Sequence, residues 1–249
     1  MRRMIKTRKE IKLLKKSAKI ANSCIPVIEQ ALKEKITEKG LAIRIRKKMR
    51  EQGATEAFRI IVCSGKRAAE IHAKPRTTKR IISGLGYVDF GACYKGYRSD
   101  VTVPFIKGKI SKREKRMVKA VLQAYKLAIR SIKIDMPCWK VHEKVDKFLR
   151  KHRFEMKHGL GHGIGLKIHE MPFISKISDR QLKKLKKKKR LKWERKWKKI
   201  KKITFQPGMV FTIEPGVYVK GLCGCRIEND VLLTRKGVKI LTNSKLIEV

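Results

Sequence analysis

The apolar positions of this chain fall into two successive patterns of the same kind. Ile11, Leu14, Ala18, Ile20 and Ala21 recur at the three-to-four spacing of an amphipathic helix, and Met117, Val118, Val121, Leu122, Tyr125 and Ala128 do so again later. Each stretch is preceded by a capping box, Thr7 with Glu10 and Ser111 with Glu114, in which hydroxyl and carboxylate satisfy backbone N–H groups of the first turn. A second helix is expected near 37–52 in the first half and near 139–152 in the second. Strands are expected at 60–64 and 87–105, then at 159–169 and 209–219. The order helix, helix, strands therefore occurs twice. It predicts an internal duplication and an α+β architecture of two halves related by a two-fold-like axis. No linker rich in Pro, Gly or Ser interrupts the 249 residues, so the chain reads as a single domain over 1–249.

Inside 87–105 the pair Lys95-Gly96 supplies a turn, which makes the segment a hairpin. Asp89 and Asp100 then lie on adjacent strands, where facing side chains are about 5 Å apart at Cβ and can hold one ion. His162, Glu214 and Glu228 fall in the strand-like segments of the second half or beside them. Four carboxylates and one imidazole suit a pair of divalent cations, whereas the same carboxylates buried without cations would repel one another. Gly159, Gly161, Gly163 and Gly165 are expected to keep a strand bare so that substrate or metal can approach its backbone. His142 and His152, on the second helix of the second half, read as surface residues.

Charge changes this picture in one place. The net charge of +45 suits contact with a polyanion such as RNA or the ribosome, or a Lys-rich surface of the kind common at high temperature. It is concentrated in 179–202, where 15 of 24 residues are basic and 2 acidic. Leu182, Leu185, Trp193 and Trp197 give that stretch a sparse apolar stripe. An insertion at about 176–202 is therefore expected, either a solvated helical hairpin or an arm whose Lys and Trp contact phosphates and bases, and in both cases outside the chemistry. The sequence has no run of about 20 apolar residues to span a membrane and no apolar segment behind its basic N-terminus to act as a secretory signal. Its six scattered cysteines suit reduced thiols in a cytoplasm. Cys223 and Cys225 form a C-x-C, with no second Cys or His pair nearby to complete a thiolate metal site.

The segments GYVDFGACYKGYRSDVT, HGLGHGIGLKIHEMP, GMVFTIEPGVY and CRIEND, in this order, resemble the pita-bread metallopeptidases: Xaa-Pro aminopeptidase, Xaa-Pro dipeptidase (prolidase) and methionine aminopeptidase. The resemblance extends from about Ile5 to the C-terminus. It implies the pita-bread fold, a central antiparallel sheet covered by helices, with a peptide as substrate and a homodimer as one assembly. It also implies two divalent ions, with Mn or Co suiting the donor set best and Zn or Fe compatible. In this likeness Asp89 chelates one ion, Asp100 and Glu228 bridge the two, and His162 and Glu214 complete the second. A bridging hydroxide is the implied nucleophile and Glu214 the implied acceptor of its proton. His72, His158 and His169 match histidines that contact substrate near the scissile bond.

Specificity is less sharply implied. His158 in His-Gly-Leu-Gly-His, the run His169-Glu170-x-Pro172 and the 14-residue gap from Glu214 to Glu228 resemble the proline-specific branch. Phe173 stands where dipeptidases often carry an Arg for the substrate carboxylate, which favours an Xaa-Pro aminopeptidase. The alternatives, in order, are a dipeptidase, a methionine aminopeptidase and a non-catalytic relative that binds nucleic acid or ribosomes. The chain begins almost at the catalytic domain, without the preceding domain usual in the proline branch. Val103 replaces the Arg of an Asp-x-Thr-Arg motif, so altered support of the metal site is expected.

Overall fold

A computed structural model describes residues 4–78, 80–81, 83–176, 182–183 and 185–249. Both capping boxes form. The Thr7 hydroxyl accepts from the Glu10 N–H while the Glu10 carboxylate accepts from the Thr7 N–H, opening α1 (Arg8–Asn22). The chain then restarts as α2 (Ile25–Lys33), with Pro26 in its first turn where a missing N–H costs no helix bond. This helix was not separated from its neighbours in the sequence pattern. Helix α3 (Glu38–Arg50) is capped by the Thr37 hydroxyl.

The strands of the first half are β1 (Thr55–Glu56), β2 (Ile61–Ser64), β3 (Gly84–Phe90), β4 (Ala92–Tyr94), β5 (Tyr97–Arg98) and β6 (Val101–Lys107). Lys95 and Gly96 both take positive φ, 49° and 81°, and make the tight turn between β4 and β5. The expected hairpin thus divides: β3 pairs with β6 in the main sheet, and its tip, β4 and β5, joins β1 in a small sheet of its own.

The Ser111–Glu114 box opens the second half at α4 (Lys112–Ser131), followed by α5 (Cys138–Lys151). Then come β7 (Gly161–Gly163), β8 (Glu170–Ile174), α6 (Lys187–Ile200), β9 (Val210–Ile213), β10 (Gly216–Val219), β11 (Cys223–Arg226), β12 (Glu228–Thr234), β13 (Gly237–Ile240) and β14 (Ile247–Glu248). Of the expected strand 159–169 only Gly161–Gly163 is regular.

The main sheet runs β2-β3-β6-β12-β9-β7-β8 among the described residues, with β13 beside β12 and β14 beside β6. Apart from β14, first-half strands occupy one side and second-half strands the other, meeting at the β6–β12 pair. Each side buries its apolar face under its own helices. Val88, Phe90, Val101 and Val103 pack with α2 and α3, while Phe211, Ile213, Val231 and Leu233 pack with α4 and α5. The intervening residues point to the opposite face, because side chains alternate along a strand. There they are polar: Asp89, Thr102, Thr212, Glu228 and Asp230 are all buried. Val103 therefore faces the helices and not the polar face, so the expected loss of support at that position does not arise.

Candidate metal centre

Strand register assembles the polar face. Asp89 on β3 and Glu228 at the start of β12 are both directly opposite Thr102 on β6. The Thr102 hydroxyl donates to Glu228 Oε2 at 2.7 Å and accepts from Arg226 Nε at 3.0 Å. Asp100 lies just before β6, diagonal to Asp89 instead of facing it, and its backbone N–H donates to Asp230 Oδ2 at 3.0 Å. From the second half, His162 on β7 places Nε2 3.7 Å from Asp100 Oδ2 and 3.4 Å from Glu214 Oε1. Its other nitrogen, Nδ1, is 3.2 Å from the Gly163 carbonyl. An Nδ1–H donated there leaves the Nε2 lone pair aimed at the carboxylates, as a metal-ligating imidazole requires.

Asp100, His162 and Glu228 each offer a ligand atom within 4.8 Å of the others. All five sequence-predicted ligands line one cavity of about 590 Å³. Burial and mutual repulsion set their titration. Burial raises the carboxyls of Asp100 and Glu228 well above the usual range, and the other carboxylates push them further. Burial also raises Asp89, against the pull of Arg226, and pushes Glu214 up to about 8. His162 is held down to about 3, again by burial first and then by His169. Four carboxylates thus face one buried guanidinium, and protons or cations must supply the remaining charge. Two buried oxygens, Asp89 Oδ1 and Asp100 Oδ1, have no hydrogen-bond partner among the described residues. Unpartnered carboxylate oxygens converging with an imidazole fit divalent cations.

Arg226 was missed in the sequence and is central here. Its guanidinium reaches Asp89 Oδ2, Thr102 and the Tyr218 hydroxyl, and stacks over the Tyr87 ring at 4.5 Å. It points to the polar face because it closes β11 with Cys225 and Ile227, its two neighbours, in the helical core. Asp230 was missed as well. It holds the Asp100 backbone while its Oδ1 is unpartnered among the described residues. The alternation of Glu228, Asp230 and Leu232 against Val231 and Leu233 would have revealed it.

The three remaining histidines differ. His72 and His169 line the cavity, and His169 meets the His162 ring edge-on at 4.3 Å. His158 also lines it, but both nitrogens have protein partners: the Gly159 carbonyl at 2.8 Å and the Tyr218 hydroxyl at 2.9 Å. Its Nδ1 also lies 3.5 Å from Glu214 Oε2. Burial keeps it neutral, with a pKa of about 3. Of the two histidines read as surface residues, His152 is exposed, but His142 is buried, with Nδ1 unpartnered among the described residues. It lies on the inward stripe of α5 with Val141, Val145 and Leu149, one residue round from the exposed face.

Two further expectations change. A Cβ on Gly161 would sit 2.0 Å from the Thr212 carbonyl oxygen and one on Gly163 2.2 Å from that of Met171, so these glycines admit neighbouring strands, while Gly159 and Gly161 also line the cavity. The basic insertion does reach the site. Part of it, 177–181 and 184, lies outside the described residues, but α6 brings Trp193 and Lys196 into the cavity wall. Trp197 stacks edge-on against Trp139 at 5.6 Å, so it packs against protein. Cys223 and Cys225 are both buried in the core, with Cys223 Sγ 3.8 Å from Met117 Sδ, and burial pushes the Cys223 thiol up to about 12.

A curled antiparallel sheet with helices on its outer face and a carboxylate–imidazole cluster on its inner face defines a metal-site fold of two similar halves. The chain belongs to metallopeptidase family M24, whose model matches residues 12–235. It is 32% identical over 247 residues to an Xaa-Pro dipeptidase of Pyrococcus furiosus, covering 98% of this chain and 64% of that protein. Among solved structures, an Xaa-Pro dipeptidase from Bacillus anthracis superposes with a TM-score of 0.84 at 32% identity, covering 99% of this chain and 64% of that one. An X-Pro aminopeptidase from Thermotoga maritima gives 0.83 at 32% identity, covering 100% of this chain and 65% of that one. The chain therefore spans less than two thirds of the length of these relatives, and it has the pita-bread fold they share. Among the described residues no helix is long and apolar enough to cross a membrane.

Proposed function

We propose that this protein is a metal-dependent exopeptidase that hydrolyses the bond between an N-terminal residue and a following proline in short peptides. The observation that carries this reading is the convergence of Asp89, Asp100, His162, Glu214 and Glu228 on one cavity, with two buried carboxylate oxygens unpartnered among the described residues. Asp89, Asp100 and Glu228 would hold one divalent ion, and Asp100, Glu228, His162 and Glu214 the other, with Mn or Co the best matches to oxygen and imidazole donors. Such ions supply an acidified water and polarise the scissile carbonyl.

The chain's own residues do the rest. Arg226 and Thr102 fix the rotamers of Asp89 and Glu228 through the hydrogen bonds described above. Glu214, which lines the cavity beside His162, accepts a proton from water as the carboxylate and returns it to the leaving proline nitrogen. His158, kept neutral by burial and oriented by Tyr218 and Gly159, aligns the Glu214 carboxylate. His72 and His169 hydrogen-bond the substrate carbonyl and its developing oxyanion.

The reading is tested by stripping metal from the protein, reloading Mn or Co, and following release from Ala-Pro, Ala-Pro-Ala and Met-Ala-Ser. Cleavage of the two proline peptides is expected. Release of Met alone would move the protein to methionine specificity, and no release with either metal would sink the reading.

A further inference from the structure

Helix α6 comes from the basic segment whose purpose the sequence left open, and its packing is specific. Lys196 Nζ lies 4.0 Å from the centre of the Phe173 ring and 5.0 Å from that of Trp193. An ammonium over two aromatic faces is held in place by their quadrupoles and keeps its own N–H groups for another acceptor. Phe173 on β8 is the direct strand partner of His162 on β7, so this ring and the charge above it sit beside the ligand imidazole. Among the described residues Lys196 makes no ion pair within 4.0 Å.

The cavity is therefore polarised. Its floor holds four carboxylates, and Arg59, Lys157 and Lys196 bring positive charge to its lining. A peptide lying between them is steered by charge: its free carboxylate belongs among these cations, and the floor takes the scissile carbonyl through the metal ions. In a dipeptide that carboxylate follows the scissile bond by one residue, about 3.8 Å of chain.

We propose that Lys196 is a specificity-determining residue that binds the free C-terminal carboxylate of a dipeptide substrate. The inference rests on the exopeptidase reading and deepens it: α6 supplies the cation that position 173 lacks, and the substrate class becomes dipeptides with a free carboxylate. Of the four cations in the lining, Arg226 is committed to Asp89, Thr102 and the Tyr218 hydroxyl, and of the other three Lys196 is the one held by aromatic contacts against the partner of a strand that carries a candidate ligand.

The test compares Ala-Pro with Ala-Pro-amide, which lacks the negative charge, on Mn-loaded protein. Lys196→Ala is expected to raise KM for Ala-Pro by about tenfold to a hundredfold, the loss of one charge-assisted contact, with kcat nearly unchanged. KM for the amide should not move. Lys196→Arg should restore most of the affinity. Lys192→Ala removes the same charge from a position of the same helix outside the cavity lining and should leave both substrates unaffected. Equal losses on acid and amide would make Lys196 a structural part of the wall and overturn the inference. So would an acid-specific loss in Arg59→Ala or Lys157→Ala with none in Lys196→Ala. A parent enzyme that hydrolyses both peptides with the same KM overturns this inference alone, and one that hydrolyses neither overturns the exopeptidase reading with it.

Discussion

The floor of the cavity and its rim are built by different means. The floor is made of sheet. Asp89, Thr102, Glu228 and Thr212 are fixed by register, and each alternates with an apolar residue buried under a helix. The rim is made of the outermost strand and an inserted helix: Phe173 on β8 meets Trp193 and Lys196 on α6 through side chains alone. A displaced floor residue disturbs the core, whereas a rim residue can change with little cost to the fold. On the proposed function, the floor carries the chemistry and the rim is free to set the substrate.

The largest effect should come from the floor. Asp100→Ala removes a carboxylate shared by both proposed ions and should lower turnover by ~10³-fold or more, several kcal/mol of transition-state stabilisation. Bound Mn, measured by elemental analysis, should fall with it, and turnover near the parent rate would break the two-ion assignment. Arg226→Met should come next. It leaves Asp89 buried without its partner and should destabilise the protein by about 3 kcal/mol in urea unfolding. A loss below 1 kcal/mol, to be read with about 15% extrapolation error, would mean that the guanidinium does not hold the floor together.

The floor also has a pH signature near neutrality. Glu214 titrates at about 8 in the fold against an ordinary carboxyl value of 4.5. The folded state then binds more protons than the unfolded chain between those values, so stability of the metal-free protein should fall as pH rises from about 4.5 to about 8. Saturating Mn replaces the protons and should flatten that slope. An unchanged slope on adding Mn would place the ions elsewhere. Smaller still is His72→Ala, which should lower turnover with Mn content unchanged; an equal fall in Mn content would make His72 a ligand. The smallest is Trp193→Ala at the rim, expected to raise KM for Ala-Pro a few-fold with no change in unfolding midpoint.

The same division explains what could be read from the sequence. The helix starts at Thr7 and Ser111 and the turn at Lys95-Gly96 were legible because capping and left-handed turns depend on local residues. The five candidate ligands were legible because each sits on a strand or directly at a strand end, within a segment that resembles a known family. Arg226 was overlooked although it sits two residues before Glu228. Its role depends on side chains from β3, β6 and β10 that meet it only in the folded sheet. Val103 misled because its direction is set by alternation and not by its neighbour in the motif. The bare glycines were legible in part: a missing side chain can admit a cavity, another strand or both, and the strand contacts at Thr212 and Met171 appear only in the packing. Helix α6 showed only its charge, and nothing in a run of lysines says which of them will lie over the Phe173 ring.

The most direct measurement is the number of Mn equivalents per chain at which Ala-Pro hydrolysis by metal-free protein reaches its plateau. The account predicts no hydrolysis without metal and a plateau at two equivalents. Full hydrolysis in the presence of a chelator, or none at any Mn concentration, would contradict it.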